Sequence, residues 1–204
     1  MIRQRSALLL VLSMAVAVAV VAHASQTPTD QVRVTVDGVI EILKDKGLDP
    51  SIRREKITTA IRERFDFEAM AQGTLAQNWK KAAPEERARF VGLFSQLLEN
   101  TYMGRIEAYT DEKVRYEKEQ VEDKRAVVGT VIVTNVDIPV DYKLRRKGDE
   151  WFVYDVVIEG VSLVRNYRSS YGEIVHQEGM EGLLSKMEAK VGELKTAGET
   201  GKIR

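Results

Sequence analysis

The spacing of apolar residues changes twice along this chain, and that change restricts the fold more than any other feature. Between residues 29 and 109 the period is helical: Val32, Val36, Val39, Ile40 and Leu43 share one stripe. Gly47 is expected to end this helix. Asp49-Pro50 predicts an N-cap followed by a first-turn proline, and the next stripe runs through Ile52, Ile57, Ile61 and Phe65. Two short pieces, 65–73 and 74–81, are expected to be split by Gly73. Pro84-Glu85-Glu86 then opens the longest helix, with its acids at the positive end of the dipole. The apolar face of that helix holds Phe90, Phe94, Leu97, Leu98, Thr101, Tyr102, Ile106 and Tyr109.

From 113 to 159 the period drops to two. Segments 114–121, 126–134, 138–146 and 151–158 are rich in Val, Ile, Tyr and Thr and are separated by short turns, which predicts antiparallel neighbours in a meander. Ile138, Val140, Tyr142 and Leu144 alternate with polar residues, whereas the last segment is apolar toward both faces. After Gly160 the helical stripe returns through Val164, Tyr167, Tyr171, Ile174 and Val175, then Met180, Leu183, Leu184, Met187, Val191 and Leu194. The expected fold is α+β: a twisted four-stranded antiparallel meander wrapped by about six to seven helices. One domain is expected over 25–195, with a polar tail at 196–204.

Residues 1–24 precede that domain. Arg3 and Arg5, an apolar run, and Ala22-His23-Ala24 before Ser25 have the form of a secretory signal peptide cleaved after Ala24. The run is shorter than the roughly 20 residues needed to span a bilayer. The expected location is therefore an exported compartment, the periplasm in a bacterium.

Composition then removes whole classes of chemistry. The sequence has 31 Lys and Arg against 31 Asp and Glu, and two of the bases lie in the leader, so the exported part is slightly acidic and unsuited to nucleic acid. With no Cys, thiolate catalysis, disulfides and Cys-ligated zinc are ruled out. Outside the leader the one histidine is His176, without a nucleophile near it in sequence. There is no phosphate-cradling glycine motif. Asp155 and Glu159, four apart at the end of the last strand, could serve as a base in an enzyme pocket. More simply, they pair with Arg165 or Arg168 and fix the strand–helix junction. Lys143-Leu144-Arg145-Arg146-Lys147 is either a solvated edge or a contact for anionic headgroups or an acidic partner. No catalytic residue, metal site or cofactor is expected. The apolar inventory of the sheet fits a filled core and a cavity wall equally well, since both use the same residue types.

Several stretches carry a resemblance. They are Phe65-Asp66-Phe67-Glu68-Ala69-Met70-Ala71, Asn78-Trp79-Lys80, Pro84-Glu85-Glu86-Arg87-Ala88-Arg89-Phe90, Thr101-Tyr102, Ile138-Pro139-Val140-Asp141-Tyr142 and Asn166-Tyr167-Arg168. Most specific is the run from Trp151 through Tyr154-Asp155-Val156 and Ile158-Glu159-Gly160 to Ser162-Leu163. Together they resemble the MlaC family of periplasmic phospholipid-binding proteins, also labelled toluene-tolerance auxiliary components of an ABC transporter. Ala83 departs from the pattern, standing where a Thr N-cap is usual. The resemblance implies a deep apolar pocket between sheet and helices that holds acyl chains as cargo, with the headgroup at the mouth. It also implies a monomeric shuttle between an outer-membrane lipoprotein/porin complex and an inner-membrane transporter complex, maintaining outer-membrane lipid asymmetry. The rival functions are the enzyme using Asp155 or Glu159 and a protein-interaction module that binds no lipid. On stripe and alternation, the lipid-facing wall is expected to include Phe94, Leu97, Leu98 and Tyr102. The sheet is expected to add Ile132, Tyr142, Leu144, Tyr154, Val156 and Ile158, with Val161 and Leu163 at the rim.

Overall fold

The computed structural model describes residues 26–109 and 111–199; the expected leader lies outside them. Among the described residues, six helices and five strands follow the order α1 (Pro28–Lys44), α2 (Pro50–Arg64), α3 (Phe67–Leu75), α4 (Gln77–Lys81), α5 (Pro84–Glu107), β1 (Lys113–Glu122), β2 (Arg125–Val133), β3 (Ile138–Lys147), β4 (Glu150–Ile158), β5 (Val161–Ser162) and α6 (Leu163–Glu199).

Local chemistry accounts for the helix starts. Thr27 and Asp30 form a reciprocal capping box for α1, Asp49 accepts from the Ser51 amide at α2, and Asp66 accepts from the Ala69 amide at α3. Ala83 has no side-chain acceptor, so only half a box remains at α5: the Glu86 carboxylate takes the Ala83 N–H at 2.7 Å.

The sheet is one antiparallel meander in the order β1-β2-β3-β4-β5. Four strands match the expectation; the fifth is a two-residue addition. Glu159 (φ 50°) and Gly160 (φ 81°) both adopt left-handed backbone between paired Ile158 and Val161, the geometry of a tight hairpin turn. Extra residues interrupt two ladders: Glu117 in β1, and Tyr154 in β4, where Leu144 pairs with Val153 and Lys143 with Asp155.

The helical pieces differ from expectation in two places. The break between α3 and α4 falls at Ala76 (φ 50°), not at Gly73. Gly73 sits inside α3 because α6 crosses there: a Cβ would lie 2.9 Å from Val164 Cγ1. Gly73→Ala is therefore expected to destabilise by about 1–3 kcal/mol through overpacking. Trimming the neighbour in the double variant Gly73→Ala/Val164→Ala should recover part of that loss in thermal melting, whereas two additive losses would contradict the crowding. The last helix runs to Glu199, past the stripe ending at Leu194, and bends at Gly179 (φ 73°).

The core is divided. Phe90, Phe94 and Leu97 of α5 pack with Leu183, Leu184 and Met187 of α6 and with α3 in an all-helical cluster. Tyr167 and Tyr171 of α6 meet Phe94 edge-on at 5.4 and 6.4 Å. A second cluster joins Val32 of α1 to Val128, Val140, Leu144, Trp151, Val153 and Val156 on one sheet face. The opposite face carries ion pairs: Lys118–Asp141 at 3.3 Å and Lys143–Asp155 at 3.1 Å.

Candidate functional site

The sheet face bearing the second cluster does not close fully against the helices. Between it, α1 and the C-terminal half of α5 lies a cavity of about 700 Å³, within the usual range for ligand sites. Its walls are overwhelmingly apolar. The α1 stripe Val32, Val36, Val39, Ile40 and Leu43 forms one wall, with Leu98, Tyr102, Met103 and Ile106 of α5 beside it. Phe65, Phe67 and Met70 close it from below together with Trp151 and Val153. Among the wall residues, Arg105, Ala108 and Glu159 are exposed while Val32, Leu144 and Trp151 are buried, so the opening lies at the end of the sheet holding the β4–β5 turn.

Two of the charged groups in the wall are ion-paired. Glu99 receives two hydrogen bonds from Arg62 at 2.6 and 2.8 Å, and Arg64 contacts Glu150 at 2.9 Å. Arg105 has no ion pair among the described residues, and its guanidinium stands 5.8 Å over the Tyr102 ring. Burial raises the phenol of Tyr102, with Arg105 opposing it. Burial alone pushes the Tyr142 phenol up to about 12.

Of the residues expected in the wall, Leu98, Tyr102, Ile132, Tyr142, Leu144, Val156, Ile158 and Leu163 line the cavity. Four do not. Phe94 and Leu97 belong to the helical cluster, because α5 is apolar on two sides and turns these residues toward α3 and α6. Tyr154 is the extra residue of the β4 bulge. The bulge breaks the alternation, so Trp151 and Val153 share the cavity face with Val156 and Ile158. Val161, 56% exposed, lies outside the wall on the short β5.

Asp155 faces away from the cavity, which removes it as a base there. It accepts from Lys143 at 3.1 Å, the Ser162 hydroxyl at 2.7 Å and the Val164 N–H at 3.1 Å. It thus fixes the β4–α6 junction, with Lys143 in place of the expected Arg165 or Arg168; Arg168 instead donates to the Gly73 carbonyl at 2.8 Å. Glu159 lies at the rim, its N–H bonded to the Pro139 carbonyl at 2.9 Å. The basic run lies on an inner strand of the sheet, with Arg146 and Lys147 exposed and its cations partnered within the chain. Arg145 and Lys147 hold Asp66, and Arg146 contacts Asp149 at 3.3 Å.

Sequence reading missed the whole α1 wall together with Val153, Trp151 and Arg105. The α1 stripe was visible, but a stripe states that a face is covered and not by what.

The MlaC protein family model matches residues 33–189, from α1 into the second half of α6. The chain is 25% identical over 147 residues to the Haemophilus influenzae "Intermembrane phospholipid transport system binding protein MlaC", covering 69% of each chain. It is 25% identical over 164 residues to the Pseudomonas putida "Toluene tolerance protein ttg2D", covering 76% of each. A phospholipid-binding protein from Ralstonia solanacearum, solved in complex with a phospholipid, has the same fold. The TM-score is 0.74 at 24% identity, over 81% of this chain and 97% of that one. A family pattern that spans both walls of the cavity and the strands between them places this chain in the MlaC family.

Proposed function

We propose that this protein is a periplasmic phospholipid carrier: it shelters acyl chains in the cavity, leaves the headgroup at the mouth, and moves lipid between membranes. The carrying observation is the apolar cavity of about 700 Å³ with one open end. Each acyl CH₂ left in water costs about 0.8 kcal/mol, so a lipid crosses an aqueous compartment only when its tails are covered. Among the described residues no helix is long and apolar enough to cross a membrane, which suits a body that leaves each membrane. Export by the leader at 1–24 would put it in the periplasm. There an outer-membrane lipoprotein/porin complex and an inner-membrane ABC transporter would be its docking partners, and a monomer its working form. The names of its relatives support this reading.

Mass spectrometry of an organic extract of the purified exported chain tests it. Phospholipid in stoichiometric amount is expected. A chain that arrives empty and takes up none from phosphatidylethanolamine vesicles would contradict the carrier.

A further inference from the structure

The wall of the cavity contains two cations, Arg64 and Arg105. Arg64 is taken up by Glu150 at 2.9 Å, which leaves Arg105 as the one cation of the wall without an ion pair among the described residues. The acids on its own helix do not neutralise it. Glu99 is bound by Arg62 at 2.6 and 2.8 Å, and Glu107 by Arg54 at 3.1 and 2.6 Å, both arginines coming from α2. Leu98, Tyr102, Arg105, Ile106 and Tyr109 line the cavity at helical spacing, and Arg105 is the only charge in that stripe. A cation in the last turn of α5 suits the helix dipole, but the dipole is served equally well from the solvated side of the helix. On the cavity side the guanidinium stands 5.8 Å over the ring of Tyr102, itself a wall residue. A guanidinium resting on an aromatic face still has its edge of N–H donors free, in the fork that matches phosphate oxygens. Arg105 is exposed, Tyr102 half-buried and Leu98 buried, so the charge marks where the apolar interior gives way to water. The remaining charged groups of the wall, Glu99, Glu112 and Glu159, are carboxylates and offer an anion nothing.

We propose that Arg105 is the phosphate-binding residue of this protein: its guanidinium takes the phosphate diester of a lipid whose tails fill the cavity, and so selects phospholipids over neutral lipids with the same tails. The proposal rests on the carrier reading and names the side chain that reads the headgroup.

The test uses the purified chain equilibrated with vesicles of dioleoylphosphatidylcholine containing dioleoylglycerol, two lipids with identical tails of which one has the phosphate. Bound lipid is read by mass spectrometry, as the ratio of phospholipid to diglyceride relative to the vesicle. Arg105→Gln, close in size and uncharged, is expected to lower that ratio about tenfold, the effect of one charge-assisted contact. Arg105→Lys, which keeps the charge without the fork, should fall between the two. High salt should shrink the ratio in the parent and not in Arg105→Gln, because a contact at the rim is screened. A variant that melts lower yet keeps the parent ratio shows a helix-end cation only, and overturns the proposal. Inorganic phosphate in excess, at matched ionic strength, should leave the parent ratio unchanged; if it brings the ratio to that of Arg105→Gln, the site takes free phosphate and the headgroup assignment falls. Failure of the parent to take up either lipid overturns the carrier reading, whereas uptake of both at a ratio indifferent to Arg105→Gln overturns this proposal alone.

Discussion

Val36→Trp combined with Ile132→Trp should empty the protein of phospholipid while leaving it folded. Both residues are half-buried and face the cavity, one from α1 and one from β2, so each indole enters space that the chain does not fill. The substituents stay apolar. Neither a buried charge nor a lost polar partner then confuses the result, as either would for an arginine at the buried Leu144. Losing only about 1.4 kcal/mol of binding is a factor of ten, and two indoles displace far more apolar contact than that. Co-purifying lipid is expected to fall at least about tenfold, with a melting transition still cooperative by circular dichroism. Unchanged lipid with both indoles present would mean that the tails lie elsewhere.

The largest stability effect is expected at Asp66. Its carboxylate is 2% exposed, caps α3 through the Ala69 N–H at 3.1 Å, and holds Arg145 and also Lys147 at 2.7 Å. Its backbone N–H reaches the Val153 carbonyl at 2.7 Å, so one residue joins α2, α3 and the rim of the sheet. Asp66→Ala removes a cap, about 1 kcal/mol, and breaks an ion pair that is buried on one side. The two cations are 35% and 45% exposed and can rehydrate, which keeps the total near the low end of the range for buried pairs. A loss of about 3 kcal/mol is expected. For a chain of this length that lowers the melting temperature by about 6–12 °C. Asp66→Asn, which keeps a capping oxygen, should lose less. A drop below about 2 °C for the alanine variant would show that the basic run does not depend on this carboxylate.

The faces of β4 depart from simple alternation at one residue, Tyr154. Alternation is a reliable guide to the faces of β3, where Ile138, Val140, Tyr142 and Leu144 all line the cavity. In β4 the same rule selects Tyr154 and omits Val153, because the bulge inserts a residue and reverses the phase halfway along the strand. Every residue between Trp151 and Ile158 except Asp155 is apolar, so the sequence holds no signal for where the reversal falls. A similar ambiguity affects α5. Its apolar residues cover two adjacent faces, and only the position of α6 separates Phe94 and Leu97 from Leu98 and Tyr102.

What the amino-acid order determined by itself was the alternation of periods, the capping residues and the short turns, and through them an α+β meander flanked by helices. These are local properties, set by dihedral preference and by which residues recur on one side of an element. The specific run from Trp151 to Leu163 pointed in addition to the family. The tertiary structure alone decided that the sheet and α1 stand apart over about 700 Å³ instead of interlocking. It also decided that Asp66 and Asp155 anchor helices, and that the Gln31 amide nitrogen is buried with no partner among the described residues. Burial, pairing and emptiness depend on what arrives from distant parts of the chain, and a periodic pattern records only that something does.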